Sequence, residues 1–337
     1  MSVYWWMDAE QVELFKLSFM QAFGPYRIYF HPDAVGHPAK YHPQLITILV
    51  EKYCRRGDVM LDPMCGTGLG NVVAALHGCD SIGVDIEGRY IEWCLYAKEK
   101  VEKHSVIGGK GSLVFIQGDS RRLTELLAEN LSLLRKQLPS FKNRDSVEES
   151  IDVIITSPPY GDALKTKKSV DMEREIERLK RIEEDKARRG VKWSPSSEES
   201  IRREVMRSVI AYGSNPRNIG NLNPDPVILK YGIRGIANLR FGKEDYFRAM
   251  WMVLQECWNV LKPSGKMIIV VKNIIRDGKL IPLHRYFIDM AKMIGFRAVS
   301  HLKFELPALG FFRVVGKRRG VWNEDLKYEH ALVLEKS

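Results

Sequence analysis

The chain has 337 residues, enough for one large domain with additions or for two. Its 45% hydrophobic and 28% charged residues suit a buried core and exclude wholesale disorder. Lys and Arg number 52 against 42 Asp and Glu, a net charge of +10 that favours polyanionic partners, because displaced counterions drive binding to phosphate backbones.

The first forty residues mix aromatics with polar residues and read as a helix followed by an irregular arm. Apolar spacing at Leu45, Ile48 and Leu49 predicts a helix over 44–53, closed by Arg56-Gly57-Asp58. An alternating pattern follows. A short apolar strand, 59–62, runs into the glycine-rich turn Cys65-Gly66-Thr67-Gly68-Leu69-Gly70 and a helix through Val72, Val73, Ala75 and Leu76. A second strand, 81–85, precedes a helix through Tyr90, Trp93, Cys94 and Ala97. A third, 113–117, precedes a leucine-rich helix from Leu123 to Leu134, and 151–156 is a fourth. Strands alternating with helices predict a parallel sheet covered on both faces.

Residues 161–243 interrupt that pattern. The stretch 161–245 holds 19 Lys and Arg against 14 Asp and Glu, half the chain's excess charge. Pairs such as Glu177/Arg181 and Glu184/Arg188 predict an exposed charged helix over 171–189, whereas 212–241 is rich in Asn, Gly and Pro and reads as loop. Alternation then resumes: a helix over 245–261, a turn at 262–265, a strand over 266–271 and a helix over 283–294 capped by Gly295. Two last strands, 298–305 and 329–335, lie too close for a crossover helix and are expected to pair like a hairpin. The expected divisions are an arm (1–43), a first core half (44–160), an insertion (161–243) and a second core half (244–337).

Gly66, Gly68 and Gly70 do not have dinucleotide-fold spacing, and no phosphate-loop lysine follows them. By itself that turn is no more than a glycine-eased strand-to-helix junction. The next two strands add to it. The second ends at Asp85-Ile86, where a carboxylate suits ribose hydroxyls, and the third at Asp119-Ser120, where a side chain suits an adenine amino group. Three such positions at successive strand ends fall on the ligand-binding edge of a parallel sheet. Beyond the fourth strand stands Thr156-Ser157-Pro158-Pro159-Tyr160. Two prolines fix the backbone and remove two donors, leaving carbonyls as acceptors beside an aromatic ring.

These residues resemble the nucleic-acid amino-methyltransferases that use S-adenosylmethionine, whose catalytic motif is [DNS]-P-P-[YFW]. The likeness is specific at Asp62-Pro63-Met64-Cys65-Gly66-Thr67-Gly68 and at Ser157-Pro158-Pro159-Tyr160, and looser at Asp85, Asp119 and Val260–Gly265. It implies a Rossmann-like α/β class I fold: a seven-stranded, mostly parallel sheet with an antiparallel last strand. It implies cofactor contacts from Tyr41, His42, Asp62, Pro63, Cys65, Gly66, Thr67, Gly68, Asp85, Ile86, Asp119 and Ser120. Ser157, Pro158, Pro159 and Tyr160 would form the catalytic motif. Its Ser form is commonest in enzymes acting on cytosine N4, whereas adenine N6 enzymes usually carry Asp or Asn.

An exocyclic amine is a poor nucleophile because its lone pair is delocalised into the ring. Acceptors at Ser157 Oγ and the Pro158 carbonyl would orient it for in-line attack, Tyr160 would stack on the base, and the base would have to leave its helix stack. The expected partner is nucleic acid. Within the insertion, Asn215-Pro216-Arg217-Asn218-Ile219-Gly220-Asn221-Leu222 is expected to line the pocket because it follows the catalytic motif; its Asn218 and Asn221, with Arg313, Lys317, Arg318 and Arg319 between the last two strands, are the expected contacts. Structured RNA such as ribosomal RNA is favoured over DNA, because no compact recognition domain is visible and shape can supply specificity. DNA N4-cytosine or N6-adenine modification is the alternative. A non-catalytic binding module and a small-molecule methyltransferase are the rivals.

No metal site is expected, since the five cysteines form no CxxC and the histidines lack ligand spacing. Apolar runs are far shorter than the roughly 20 residues of a membrane span. The N-terminal residues show no signal-peptide pattern. The expected compartment is the reducing cytoplasm. Scarce Gln with abundant Glu, Lys and Arg is a hyperthermophile-like bias.

Overall fold

A computed structural model describes residues 11–14, 19–36, 42–159, 181, 188, 189, 215, 217–222, 245–276, 279–305 and 324–337. Among them the strands are β1 (Gln11–Leu14), β2 (Val59–Asp62), β3 (Asp80–Asp85), β4 (Leu113–Gln117), β5 (Ile151–Thr156), β6 (Leu261–Lys272), β7 (Ile274–Arg276), β8 (Lys279–Ile281), β9 (Arg297–Glu305) and β10 (Tyr328–Glu335). The α-helices are α1 (Phe19–Phe23), α2 (Pro43–Tyr53), α3 (Leu69–Leu76), α4 (Gly88–Lys103), α5 (Leu123–Glu129), α6 (Leu131–Gln137), α7 (Tyr246–Val260) and α8 (Leu283–Ile294).

Eight strands form one sheet in the order β1-β9-β10-β6-β5-β2-β3-β4. Every pairing is parallel except those of β10, which runs antiparallel between β6 and β9. This is the expected α/β architecture with an antiparallel last strand, widened by β1. That four-residue strand pairs parallel with β9 at the sheet edge. It lies in a segment read as helix and arm, and four residues give too little alternation to separate a strand from its aromatic surroundings. A separate ribbon, β7 with β8, also went unread.

Period-two alternation splits the core into two layers. Val59 and Leu61 of β2 pack with α5–α8 on one face, while Met60 packs with α2–α4 on the other. In β6, Met267, Ile269 and Val271 join the first layer and Ile268 and Val270 the second. Phe23, Tyr29, Phe30 and Ala34, from the described part of the arm, pack into the α2–α4 layer.

Two boundaries differ from expectation. The leucine-rich helix is two helices, because Asn130 leaves helical geometry (φ −100°, ψ 10°) and its side-chain amide donates to the Leu126 carbonyl at 2.9 Å. The turn at 262–265 is absorbed into β6. The Ser264 N–H donates to the Lys336 carbonyl and the Lys336 N–H to the Gly265 carbonyl, at 2.9 and 3.0 Å, so the chain end draws these residues into the sheet.

The strand order positions the site. The chain moves outward from β2 to β3 to β4, then returns to place β5 on the other side of β2. Loops leaving the carboxyl ends of β2 and β5 therefore diverge and open a crevice, the usual ligand position in such sheets.

Candidate active site

The loop leaving β2 is shaped by two glycines with positive φ, Gly66 at 51° and Gly68 at 75°. A Cβ at position 68 would stand 2.9 Å from Cys94 Sγ and 3.2 Å from the Phe115 ring, so only glycine lets α3 begin this close to its neighbours. The Gly66 N–H donates to Asp85 Oδ2 at 2.8 Å, joining the end of β2 to the end of β3. The Ser120 hydroxyl donates to the Pro63 carbonyl and ties in the end of β4.

Asp85 also accepts the Glu87 N–H at 2.9 Å. Burial pushes its carboxyl up to about 6, although the N–H groups of Glu87 and Gly66 pull the other way. Asp119 behaves differently. Burial works to raise its carboxyl too. The Arg121 side chain, with a 2.6 Å ion pair, and the Arg121 N–H outweigh that and hold it below the ordinary value. Arg121 engages both Asp119 oxygens through its backbone N–H and its guanidinium, and Asp119 lines the pocket with that partner in place.

Ser157 and Pro159 follow β5 across the same crevice. The Thr156 hydroxyl donates to Asp62 Oδ1 at 2.8 Å, and the Met64 N–H donates to the same oxygen at 3.1 Å. Fully buried, Asp62 thus clamps the two diverging loops from beneath. Above it the buried Tyr246, first residue of α7, donates its phenol hydroxyl to the Pro159 carbonyl at 2.7 Å. Asp245 caps that helix by accepting the N–H groups of Phe247 and Arg248. Tyr246 therefore comes off a fixed helix end and sets the orientation of the peptide leading into Tyr160.

Part of the insertion returns to the same crevice. Glu87, itself buried, accepts the Asn215 N–H at 3.0 Å and the Asn218 side-chain amide at 2.8 Å through one oxygen. Arg121 donates to the Arg217 carbonyl at 3.2 Å. A short 3-10 turn, Ile219–Asn221, follows, capped by Asn218 Oδ1 accepting the Gly220 N–H.

The resulting pocket holds about 800 Å³ of space, part of it open to solvent. It gathers Pro63, Cys65, Gly66, Thr67, Asp85, Ile86, Asp119, Ser120, Ser157, Pro159 and Asn218, drawn from five separate stretches of chain. Asp62 and Gly68 lie behind its wall as the clamp and the close-packed junction just described. Pro158 is buried beside the pocket, and Asn221 donates its side-chain amide to the Asn215 carbonyl at 3.3 Å on the far side of the turn. His42 is buried where it leads into α2 and does not line the pocket. Tyr41, Tyr160, Arg313, Lys317, Arg318 and Arg319 lie outside the described residues. Arg217 and Ile219 line the pocket within the stretch expected to do so, whereas the sequence reading gave no site role to Met64, Tyr90, Glu87, Arg121 or Tyr246. Only the position of Glu87 two residues past Asp85 offered a signal.

S-adenosylmethionine fits this set. Asp85 offers a carboxylate at the edge of the second strand, Ile86 and Ile219 offer apolar contact, and the turn at Gly66 lets backbone approach a ligand. No thiolate chemistry is prepared here. Burial and the neighbouring Cys94 hold the Cys65 thiol well above its usual range, and burial pushes Cys257 up as well. Elsewhere, buried His284, His301 and His330 stack on one another, and the Asn273 side chain hydrogen-bonds His284 and His330. His284 and His330 ring centroids are 4.3 Å apart, and burial with the neighbouring histidines pushes His284 down to about 2. Among the described residues no group of side chains has the makings of a metal site, and no helix is long and apolar enough to cross a membrane.

Comparison with known proteins points the same way. Residues 35–186, which include both the glycine-rich turn and the Ser157-Pro158-Pro159-Tyr160 motif, match the UPF0020 family, described as RMKL-like, methyltransferase domain. The tRNA (guanine(10)-N2)-dimethyltransferase of Methanocaldococcus jannaschii is 29% identical over 160 residues, 47% of this chain and 37% of that protein. Type II methyltransferase M.MjaII of the same organism is 28% identical over 96 residues, 28% of this chain and 18% of that one. The matches thus span little more than a third of these relatives at most. A solved SAM-dependent methyltransferase of Methanosarcina mazei aligns over 86% of this chain and 96% of its own, at 11% identity and a TM-score of 0.42. The stretch that carries most of the pocket is therefore similar to a methyltransferase domain, and the relatives it matches are named as a tRNA dimethyltransferase and a type II methyltransferase.

Proposed function

We propose that this chain is an S-adenosylmethionine-dependent methyltransferase that acts on an exocyclic base amine in nucleic acid, with cytosine N4 in structured RNA as its target. The observation that carries the reading is the pocket itself, where Ser157 and Pro159 face the same space as Gly66 and Asp85. The cofactor supplies a methyl group on a positively charged sulfur. Asp85 accepts hydrogen bonds from ribose hydroxyls, and Ile86 packs against the purine. Ser157 Oγ and the Pro158 carbonyl accept the N–H bonds of the target amine and turn its lone pair toward the methyl carbon. The new N–C bond forms as the C–S bond breaks, its electron pair stays on sulfur, and the amine proton leaves to solvent. Placing nitrogen, carbon and sulfur in line supplies much of the rate. Tyr160 stacks on the base, which is flipped out or already single-stranded. Arg313, Lys317, Arg318 and Arg319 contact phosphates.

Guanine N2 in tRNA is the second reading, favoured by the name of the Methanocaldococcus relative. Both targets are ring-conjugated amines and need the same acceptors. The test is to incubate the chain with labelled S-adenosylmethionine and separate pools of unmodified total RNA and DNA, then digest each to nucleosides for mass spectrometry. N4-methylated or dimethylated cytidine supports the first reading, and N2-methylated guanosine the second. N4-methyldeoxycytidine or N6-methyldeoxyadenosine moves the substrate to DNA. Label in neither polymer overturns the proposal.

A further inference from the structure

The insertion leaves the core after the Ser157-Pro158-Pro159-Tyr160 motif, yet residues 215–222 lie on the opposite rim, over the ends of β3 and β4. Two anchors hold them there. Each starts from a carboxylate at the end of one of those strands. Asp85 holds the Glu87 N–H, and Glu87 holds Asn215 and Asn218. Asp119 holds Arg121, and Arg121 holds the Arg217 carbonyl. Arg217 also lowers the Asp119 carboxyl by its charge. Beyond the anchors, Ile219 and Leu222 are buried in the same apolar layer as Tyr246 and Phe247. Arg217, Asn218 and Ile219 line the pocket beside Ile86, Asp119 and Ser120.

From this geometry we infer that Arg217, Asn218 and Ile219 are cofactor-binding residues, so that a bound cofactor fastens the insertion to the core before a target base enters. The inference rests on the reading of the pocket as an S-adenosylmethionine site. A ligand seated on Asp85 and Asp119 touches the two groups from which both anchors start. Its adenosine end meets Ile219 directly. Opening the segment would then remove a wall of the occupied pocket as well as two sets of hydrogen bonds, so binding and closure favour each other by linkage.

The test uses the full chain and S-adenosylhomocysteine, which binds without turnover. Amide hydrogen exchange is followed with and without ligand. Saturation should slow exchange across residues 217–222 by about tenfold or more, which corresponds to roughly 1.4 kcal/mol of added protection. Ile219→Ala and Glu87→Gln should each raise the calorimetric Kd by about five- to tenfold, measured well below each variant's own melting transition so that lost core burial is not read as lost affinity. Asp85→Ala should weaken binding roughly 10- to 150-fold and reduce the protection at a given ligand concentration accordingly. Binding with unchanged exchange in 217–222, and variants that bind like the wild type, would overturn the inference and leave the pocket reading standing. A wild-type chain that bound no S-adenosylhomocysteine would overturn the pocket reading, and this inference with it.

Discussion

The two halves of the pocket are built differently. The half that would hold the cofactor comes from residues 62–120, where three consecutive strands each end in a short motif and neighbouring ends are stitched by Gly66–Asp85 and Ser120–Pro63. The half that would hold the target is Ser157–Pro159, held by Asp62 through Thr156 on one side and by Tyr246 on the other. The first is local and held largely by the sheet. The second depends on a few long-range hydrogen bonds. Damage to the first should cost cofactor affinity, and damage to the second should cost turnover.

The sharpest way to break this comparison is at the motif after β5. Ser157→Ala and Tyr160→Ala should each lower turnover by roughly 10²- to 10³-fold, the range seen when a transition-state hydrogen-bond partner is removed. The cofactor Kd, measured by calorimetry, should stay within about twofold. Full turnover in either variant would remove the motif from the mechanism. Asp85→Ala is the converse. Loss of a charged acceptor is worth about 1.5–3 kcal/mol, so cofactor affinity should fall roughly 10- to 150-fold.

A smaller effect is expected at Tyr246. Tyr246→Phe keeps the buried ring and removes one hydrogen bond to Pro159, worth about 1 kcal/mol, so kcat should fall roughly five- to tenfold with the cofactor Kd unchanged. A matching drop in cofactor affinity would place Tyr246 in the local half instead.

Acid sharpens the same contrast. The Asp85 carboxyl titrates near 6 and must be ionised to accept both its N–H partners and ribose hydroxyls. Cofactor affinity should therefore be flat above about pH 7 and weaken by up to about tenfold per unit below 6, a fall that Asp85→Asn abolishes. Folding stability carries the smallest signal. Asp85 is raised in the folded chain, so its ionisation takes stability away as pH rises from about 4 to 6. His284 is lowered to about 2. The stability it contributes as a neutral ring is complete above about 6.5 and is lost as pH falls. The two slopes oppose each other between pH 4 and 6, so Asp85→Asn should lose stability on acidification more steeply than wild type in urea titrations.

How much of this was legible in the sequence follows the same division. Strands 59–62, 113–117 and 151–156 and the helix 283–294 were readable to the residue because their apolar runs are bounded by glycine, proline or aspartate. Asp85 and Asp119 were readable because a parallel strand delivers its last side chain to the ligand edge. Glu87 looked like one more acidic residue at a helix start. Its partners Asn215 and Asn218 are more than a hundred positions away, and no local pattern encodes such a pairing. Tyr246 read as the first aromatic of an amphipathic helix, since its hydroxyl finds Pro159 only after the sheet has brought β5 and α7 together. Asn218 was expected to touch nucleic acid. The structure turns its amide to Glu87 and its face to the cofactor side of the pocket.

The bond between Tyr246 and Pro159 joins the two residues that bracket the insertion. The insertion therefore leaves and rejoins the core at one closed junction. The entropy of closing a flexible loop grows only with the logarithm of its length, by about 0.6 kcal/mol per doubling. A core gripped in this way tolerates inserts of very different size between the same two residues. In the proposed reading, target choice becomes exchangeable cargo, and the sheet beneath need not change when the cargo does.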